Sequence, residues 1–72
     1  MMTTVLKKGA ITYTLDIDAQ ETQCIFLQSK RIFGLIINRT KETFSTLFAA
    51  EQKLDSALES LEIKGFKIDS KN

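Results

Sequence analysis

The stretch "SKRIFGLIINR", Ser29 to Arg39, places an apolar run between the basic pair Lys30-Arg31 and Arg39. A strand with one wet face alternates apolar and polar residues, because successive side chains point to opposite sides. Ile32, Phe33, Leu35, Ile36 and Ile37 leave almost no polar side. The run therefore reads as a strand that needs cover on both faces. If Phe33, Leu35 and Ile37 face a helix, Ile32 and Ile36 face outward.

Working toward the N-terminus, "SKR" reads as a turn, and "QCIFLQ" before it as a third strand, apolar on both sides through Cys24, Ile25, Phe26 and Leu27. "AQET" is the preceding turn. "AITYTLDID" is the clearest element: Ile11, Tyr13, Leu15 and Ile17 alternate with Thr12, Thr14, Asp16 and Asp18. "TTVLKKG" is a weaker first strand, with a hairpin turn at Lys8-Gly9. Short links between successive strands favour an antiparallel meander.

Toward the C-terminus the period changes. Phe44, Leu47, Phe48, Leu54, Leu58 and Leu61 recur at three- and four-residue spacings or their sums, which predicts a helix over about residues 41–64. Thr40 is the expected N-cap, with Glu42 in the first turn. Gly65 is the expected C′ residue, and Phe66 and Leu61 make the hydrophobic pair of a Schellman stop. "FKI" can add a short extended piece, and residues 69–72 read as a frayed tail. The expected architecture is α+β, a four-stranded antiparallel meander within about residues 3–39 followed by one long C-terminal helix, in a single domain over residues 1–72.

With 72 residues and one cysteine, Cys24, the chain has no internal disulfide to staple it. Without histidine it lacks the usual zinc ligand and the usual general base, so no metal, no cofactor and no catalysis are expected. Asp16 and Asp18, two apart on one strand face, read as a solvated edge rather than a cation site. No signal-peptide core and no run of about 20 apolar residues is present, so the expected location is cytoplasmic, with no membrane partner and no small-molecule substrate. The net charge of +1 hides an asymmetry. Residues 1–41 hold six cations against three anions, and residues 42–72 hold four cations against six anions.

Two features point to a homodimer. The two-sided apolar strands leave Ile32 and Ile36 as an outward patch. A helix of about 24 residues is roughly 36 Å long, whereas a domain this size is only about 29 Å across, so Leu54, Leu58 and Leu61 are expected to overhang the sheet. Glu51 and Asp55 lie inside the apolar arc, where they either meet water or pair with a partner subunit's cations.

In a meander the first and third turns lie at one end of the sheet, which brings Lys7, Lys8, Lys30 and Arg31 together and puts Arg39 at the other end. Cations to follow a backbone and rings to stack on bases are what single-stranded nucleic acid requires, and Tyr13, Phe26 and Phe33 are the candidate rings. The leading expectation is a non-catalytic homodimer that binds single-stranded nucleic acid through these residues. The alternative is a protein-interaction module, an inhibitor, adaptor or accessory subunit, using the apolar outer face of the third and fourth strands or the acidic helix.

"FSTLFAAEQKLDSALESL", Phe44 to Leu61, following a strand that ends "GLIIN", resembles the strand-plus-helix end of the positive cofactor four family of transcriptional coactivators. Phe44, Leu47, Leu54, Asp55, Ala57, Leu58 and Leu61 carry the likeness. The resemblance implies four antiparallel strands before one long helix, pairing through the helix region, and single-stranded DNA on basic strands. Arg39-Thr40-Lys41 between strand and helix, and the absence of tryptophan, depart from that pattern.

Overall fold

The computed structural model describes residues 2–71. Five strands and one helix follow in the order β1 (Met2–Lys8), β2 (Ile11–Ala19), β3 (Cys24–Ile32), β4 (Leu35–Phe44), α1 (Leu47–Ile63) and β5 (Lys67–Lys71). All strands are antiparallel, in the spatial order β4-β3-β2-β1-β5. The α+β meander is as expected through β4, but the chain returns after the helix to add a fifth strand beside β1. Residues 69–71 are therefore part of a ladder and not a frayed tail; Asn72 lies outside the described residues.

β2 owes its clarity to its amphipathic alternation. Leu15 and Ile17 are buried on the helix side, while Thr12, Thr14, Asp16 and Asp18 take the other. The cross-strand registers carry the same face to Leu6 and Thr4 on β1 and to Cys24 and Phe26 on β3. With Ala50, Leu54, Leu61 and Phe66 from above, the apolar members of this face form the core, and the buried Thr4 lies on the same face. Cys24 is a buried free thiol.

Three boundaries differ from the sequence expectation. "SKR" is not a turn: β3 runs through it to Ile32, and the chain reverses at Phe33-Gly34. Both turn residues have positive φ, +52° and +82°, the signature of a type I′ hairpin turn. The fourth strand does not stop near Arg39 but continues to Phe44, and the helix starts at Leu47 instead of Lys41. "RTKETF" is rich in β-branched and aromatic residues, and it pairs with the apolar Cys24–Leu27 segment, so the ladder prevails over helix propensity. Thr46, not Thr40, is the N-cap; its hydroxyl accepts from the Ala49 amide at 3.2 Å.

The helix stop follows expectation. Gly65 has φ of +99°, its amide donates to the Glu62 carbonyl, and the Phe66 amide donates to the Leu61 carbonyl, both at 3.0 Å. Lys64 is the C-cap, and the Lys8 ammonium donates to its carbonyl at 2.6 Å. The helix has 17 residues, about 26 Å. It fits over the sheet, so Leu54 and Leu61 are buried and Leu58 is half-buried rather than overhanging. Helix length therefore gives no reason for a partner. Among the described residues no helix is long and apolar enough to cross a membrane.

Candidate interaction surface

Strand alternation divides the expected basic cluster between the two faces of the sheet. The β1–β2 and β3–β4 turns do converge, and the Phe33 amide even donates to the Ala10 carbonyl at 3.0 Å. Lys8 and Lys30, however, share the helix side with the core, while Lys7 and Arg31 are on the open side. Each has a local partner. Lys8 caps the helix and lies 6.0 Å from the Phe66 ring centroid. Lys30 lies 5.8 Å from the Tyr13 ring centroid, Lys7 pairs with Asp69 at 3.4 Å, and Arg31 donates to the Thr14 hydroxyl at 3.3 Å. Arg39 is not at the far end of the sheet. It stands mid-strand opposite Ser29, two positions along from Arg31 on the same open face.

The aromatic candidates also separate. Phe26 is 1% exposed, and a ring in the core cannot stack on a base. Tyr13 is half-buried and packs edge-on against Phe66 at 5.1 Å. Phe33 alone is bare, 85% exposed at the hairpin tip. Asp16 and Asp18 are on the open face; the Thr3 hydroxyl donates to Asp16 at 2.7 Å. A continuous basic, aromatic-bearing sheet surface is thus not what these residues build.

What they do build is an apolar edge. β4 is the last strand of the sheet and is exposed from Leu35 to Thr43. Next to Phe33, Leu35 is 73% exposed, Ile36 47% and Ile37 53%. Ile36 faces the open side opposite Arg31, as expected for an outward residue, but Ile32 pairs with Leu35 on the helix side and is half-buried. Ile37 is the extra residue of a β-bulge, because Lys30 pairs with Asn38 and Arg31 with Ile36. Beyond the bulge, Arg39 and Lys41 point to the open face and Thr40 and Glu42 to the helix side. Glu42 pairs with Lys53 of the helix at 3.4 Å.

No family model, curated protein or solved structure matches this chain.

One signal for this surface was present in the sequence: an apolar run longer than one covered face can use. The identity of the turn concealed its geometry. Type I′ turns favour Asn-Gly, and "FG" carries no such cue. Helix residues Glu51 and Asp55 are exposed, and Asp55 has no pairing with a cation of this chain among the described residues.

Proposed function

We propose that this protein is a binding module that captures an extended segment of another protein by strand addition along β4. The observation that carries the reading is the outer edge of β4: a ten-residue strand without a neighbour on one side, beginning in three exposed large apolar residues and preceded by the exposed Phe33. Edge strands present a row of unpaired amide and carbonyl groups, and a partner strand supplies the matching row. Phe33 adds weight. A bulky residue at positive φ costs about 1–2 kcal/mol relative to glycine or asparagine, and this one makes no buried contact in return.

The partner's chemistry follows from side-chain order. Strand addition puts its side chains beside Leu35, Ile36 and Ile37 at one end and beside Arg39 and Lys41 at the other. An apolar stretch followed by one or two carboxylates complements both. A second copy of this chain is a poorer match. A two-fold axis normal to the sheet keeps each face on its own side, and near the strand centre it opposes Arg39 to Arg39, Arg39 to Lys41, or Lys41 to Lys41. Like charges directly opposite destabilise a pair of strands.

Selection of random peptides displayed on phage tests the reading. Enriched peptides are expected to join an apolar stretch to one or two Asp or Glu residues, to protect β4 amides from hydrogen exchange, and to lose binding on Ile36→Lys. Enrichment without β4 protection rejects strand addition. The second reading, single-stranded nucleic acid, is favoured by Arg31, Arg39 and Lys41 sharing the open face, with Phe33 bare at the hairpin tip. It requires oligonucleotide affinity that falls with salt with a log–log slope of about −0.7 per neutralised phosphate.

A further inference from the structure

α1 covers one side of the sheet, and its own outer side is left bare. At about 100° per residue, Ala50, Leu54, Ala57 and Leu61 share the arc that meets the sheet. Phe48 and Ile63 fall on the opposite arc, 71% and 79% exposed, near the two ends of the helix. Between them stand Glu51, Asp55, Glu59 and Glu62, all exposed. None of these carboxylates pairs with a cation among the described residues. Lys53, the lysine of α1, lies outside this arc and is held by Glu42.

Along β3 and β4 the open face of the sheet has the reverse charge. Arg31, Arg39 and Lys41 occupy three successive rows there, because Arg39 is opposite Ser29 and Lys41 opposite Leu27. Apolar residues lie among them: Ile36 is opposite Arg31, and Leu27 and Ile25 are half-buried farther along β3. Asp16 and Asp18 share this face but are on β2, and the Thr3 hydroxyl donates to Asp16.

The two charge patterns have nearly the same period. Rows on one face of a strand recur every two residues, about 6.6–6.8 Å. Every fourth residue of a helix recurs at about 6 Å, and Glu51, Asp55 and Glu59 are spaced in that way. β3 and β4 together are about 10 Å wide, the width of one helix.

We infer that the outer face of α1 in one copy of this chain docks along β3 and β4 on the open face of the next copy. Glu51, Asp55 and Glu59 then face the rows of Arg31, Arg39 and Lys41. The middle members, Asp55 and Arg39, meet whichever way the helix points. Phe48 and Ile63 reach beyond the charged rows, toward the Phe33 turn at one end and Ile25 at the other. The two surfaces are on opposite sides of the protein, so a pair of copies leaves one of each unused and the contact builds an open stack. The outer edge of β4 is a different surface, and the inference does not rest on strand addition there.

Sedimentation of the full chain from micromolar to millimolar concentration tests it. In low salt the average mass is expected to rise past that of two chains. In about 0.5 M salt, which screens exposed charges, it is expected to fall back toward one. Asp55→Lys and Arg39→Glu each set like charges together, and each is expected to weaken association at least about tenfold. Both positions are exposed, so neither substitution empties the core. Mixed in equal amounts, the two variants are expected to associate again, because each supplies the surface that the other has lost. A single-chain mass at millimolar concentration in low salt overturns the inference. So does a closed dimer, association that either substitution leaves unchanged, or a mixture no heavier than its separate parts.

Discussion

β5 closes one side of the sheet with five residues, KIDSK, and β4 closes the other with ten, LIINRTKETF. Both are edge strands and both contain a bulge, at Asp69 and at Ile37. Beyond that they differ. β5 is short, carries a lysine at each end, and ties Asp69 to Lys7 across the ladder. These are devices that discourage a further strand from adding. The N-terminal half of β4 has none of them: its first three residues are apolar and exposed, and the turn before it presents Phe33. Arg39 and Lys41 come only after the bulge. One edge of the sheet carries features that oppose strand addition and the other lacks them at a defined place, and that contrast is what the proposed capture of a partner strand rests on.

The largest expected effect separates the packed part of the sheet from this open part. Phe26 on β3 is fully enclosed by β2 and the helix, so Phe26→Ala removes buried area and leaves a cavity, at a cost of about 3–5 kcal/mol. A domain of this size has only about 4–10 kcal/mol in total, so urea unfolding should show a much lower midpoint or no cooperative transition. Ile36→Lys, one strand away, sets a cation opposite Arg31 but leaves no buried cavity, and should cost no more than about 1 kcal/mol. If Ile36→Lys proved as damaging as Phe26→Ala, β4 would belong to the core and would not be an available edge.

The next effect has the opposite sign. Phe33→Asn installs Asn-Gly, the residues that a type I′ turn prefers, and relieves the side-chain clash at φ of +52°. A gain of about 1 kcal/mol is expected, or a rise of about 4–8 °C in Tm for a domain of this length. The same substitution removes the most exposed ring of the proposed docking strip and should weaken peptide capture. More stability with less binding is the result that identifies Phe33 as a functional residue; a loss of stability would mean that the ring packs against something at the tip.

That turn also explains how much of the fold could be read in advance. β2 was legible because one face is wet and the other dry, so four residues on each side declare the period. The helix stop was legible because Leu61, Gly65 and Phe66 stand at fixed offsets that a Schellman motif requires. The β3–β4 turn was not, since its Phe-Gly pair lacks the usual residue at the first position and lies inside an apolar run that reads as continuous strand. The boundary at Phe44–Leu47 was ambiguous because Thr40, Thr43 and Phe44 suit a strand while the spacing from Phe44 onward already suits a helix; pairing with Cys24–Leu27, a nonlocal matter, decides it. β5 depends on β1, more than sixty residues earlier, and five exposed residues offer no pattern of their own. The candidate site suffered from the same limit. Tyr13 and Phe26 looked like stacking rings only until the registers placed both on the helix side, and Lys7 and Lys8 appeared as one basic pair until alternation put them on opposite faces.

The smallest effect tests what protects the β5 edge. Lys7 and Asp69 are 3.4 Å apart with both side chains about half exposed, so water and salt screen their attraction. Asp69→Asn should cost about 0–0.5 kcal/mol, and less in high salt than in low. If strand length and the bulge are what close this edge, the variant should stay as dispersed as the parent in sedimentation, because the lysines at either end of β5 remain and the extra residue still bends the strand. Self-association of Asp69→Asn would instead make the ion pair the protective element. The contrast between the two edges would then rest on one charge and not on strand geometry, and the open edge of β4 could be closed by adding a single carboxylate opposite Arg31.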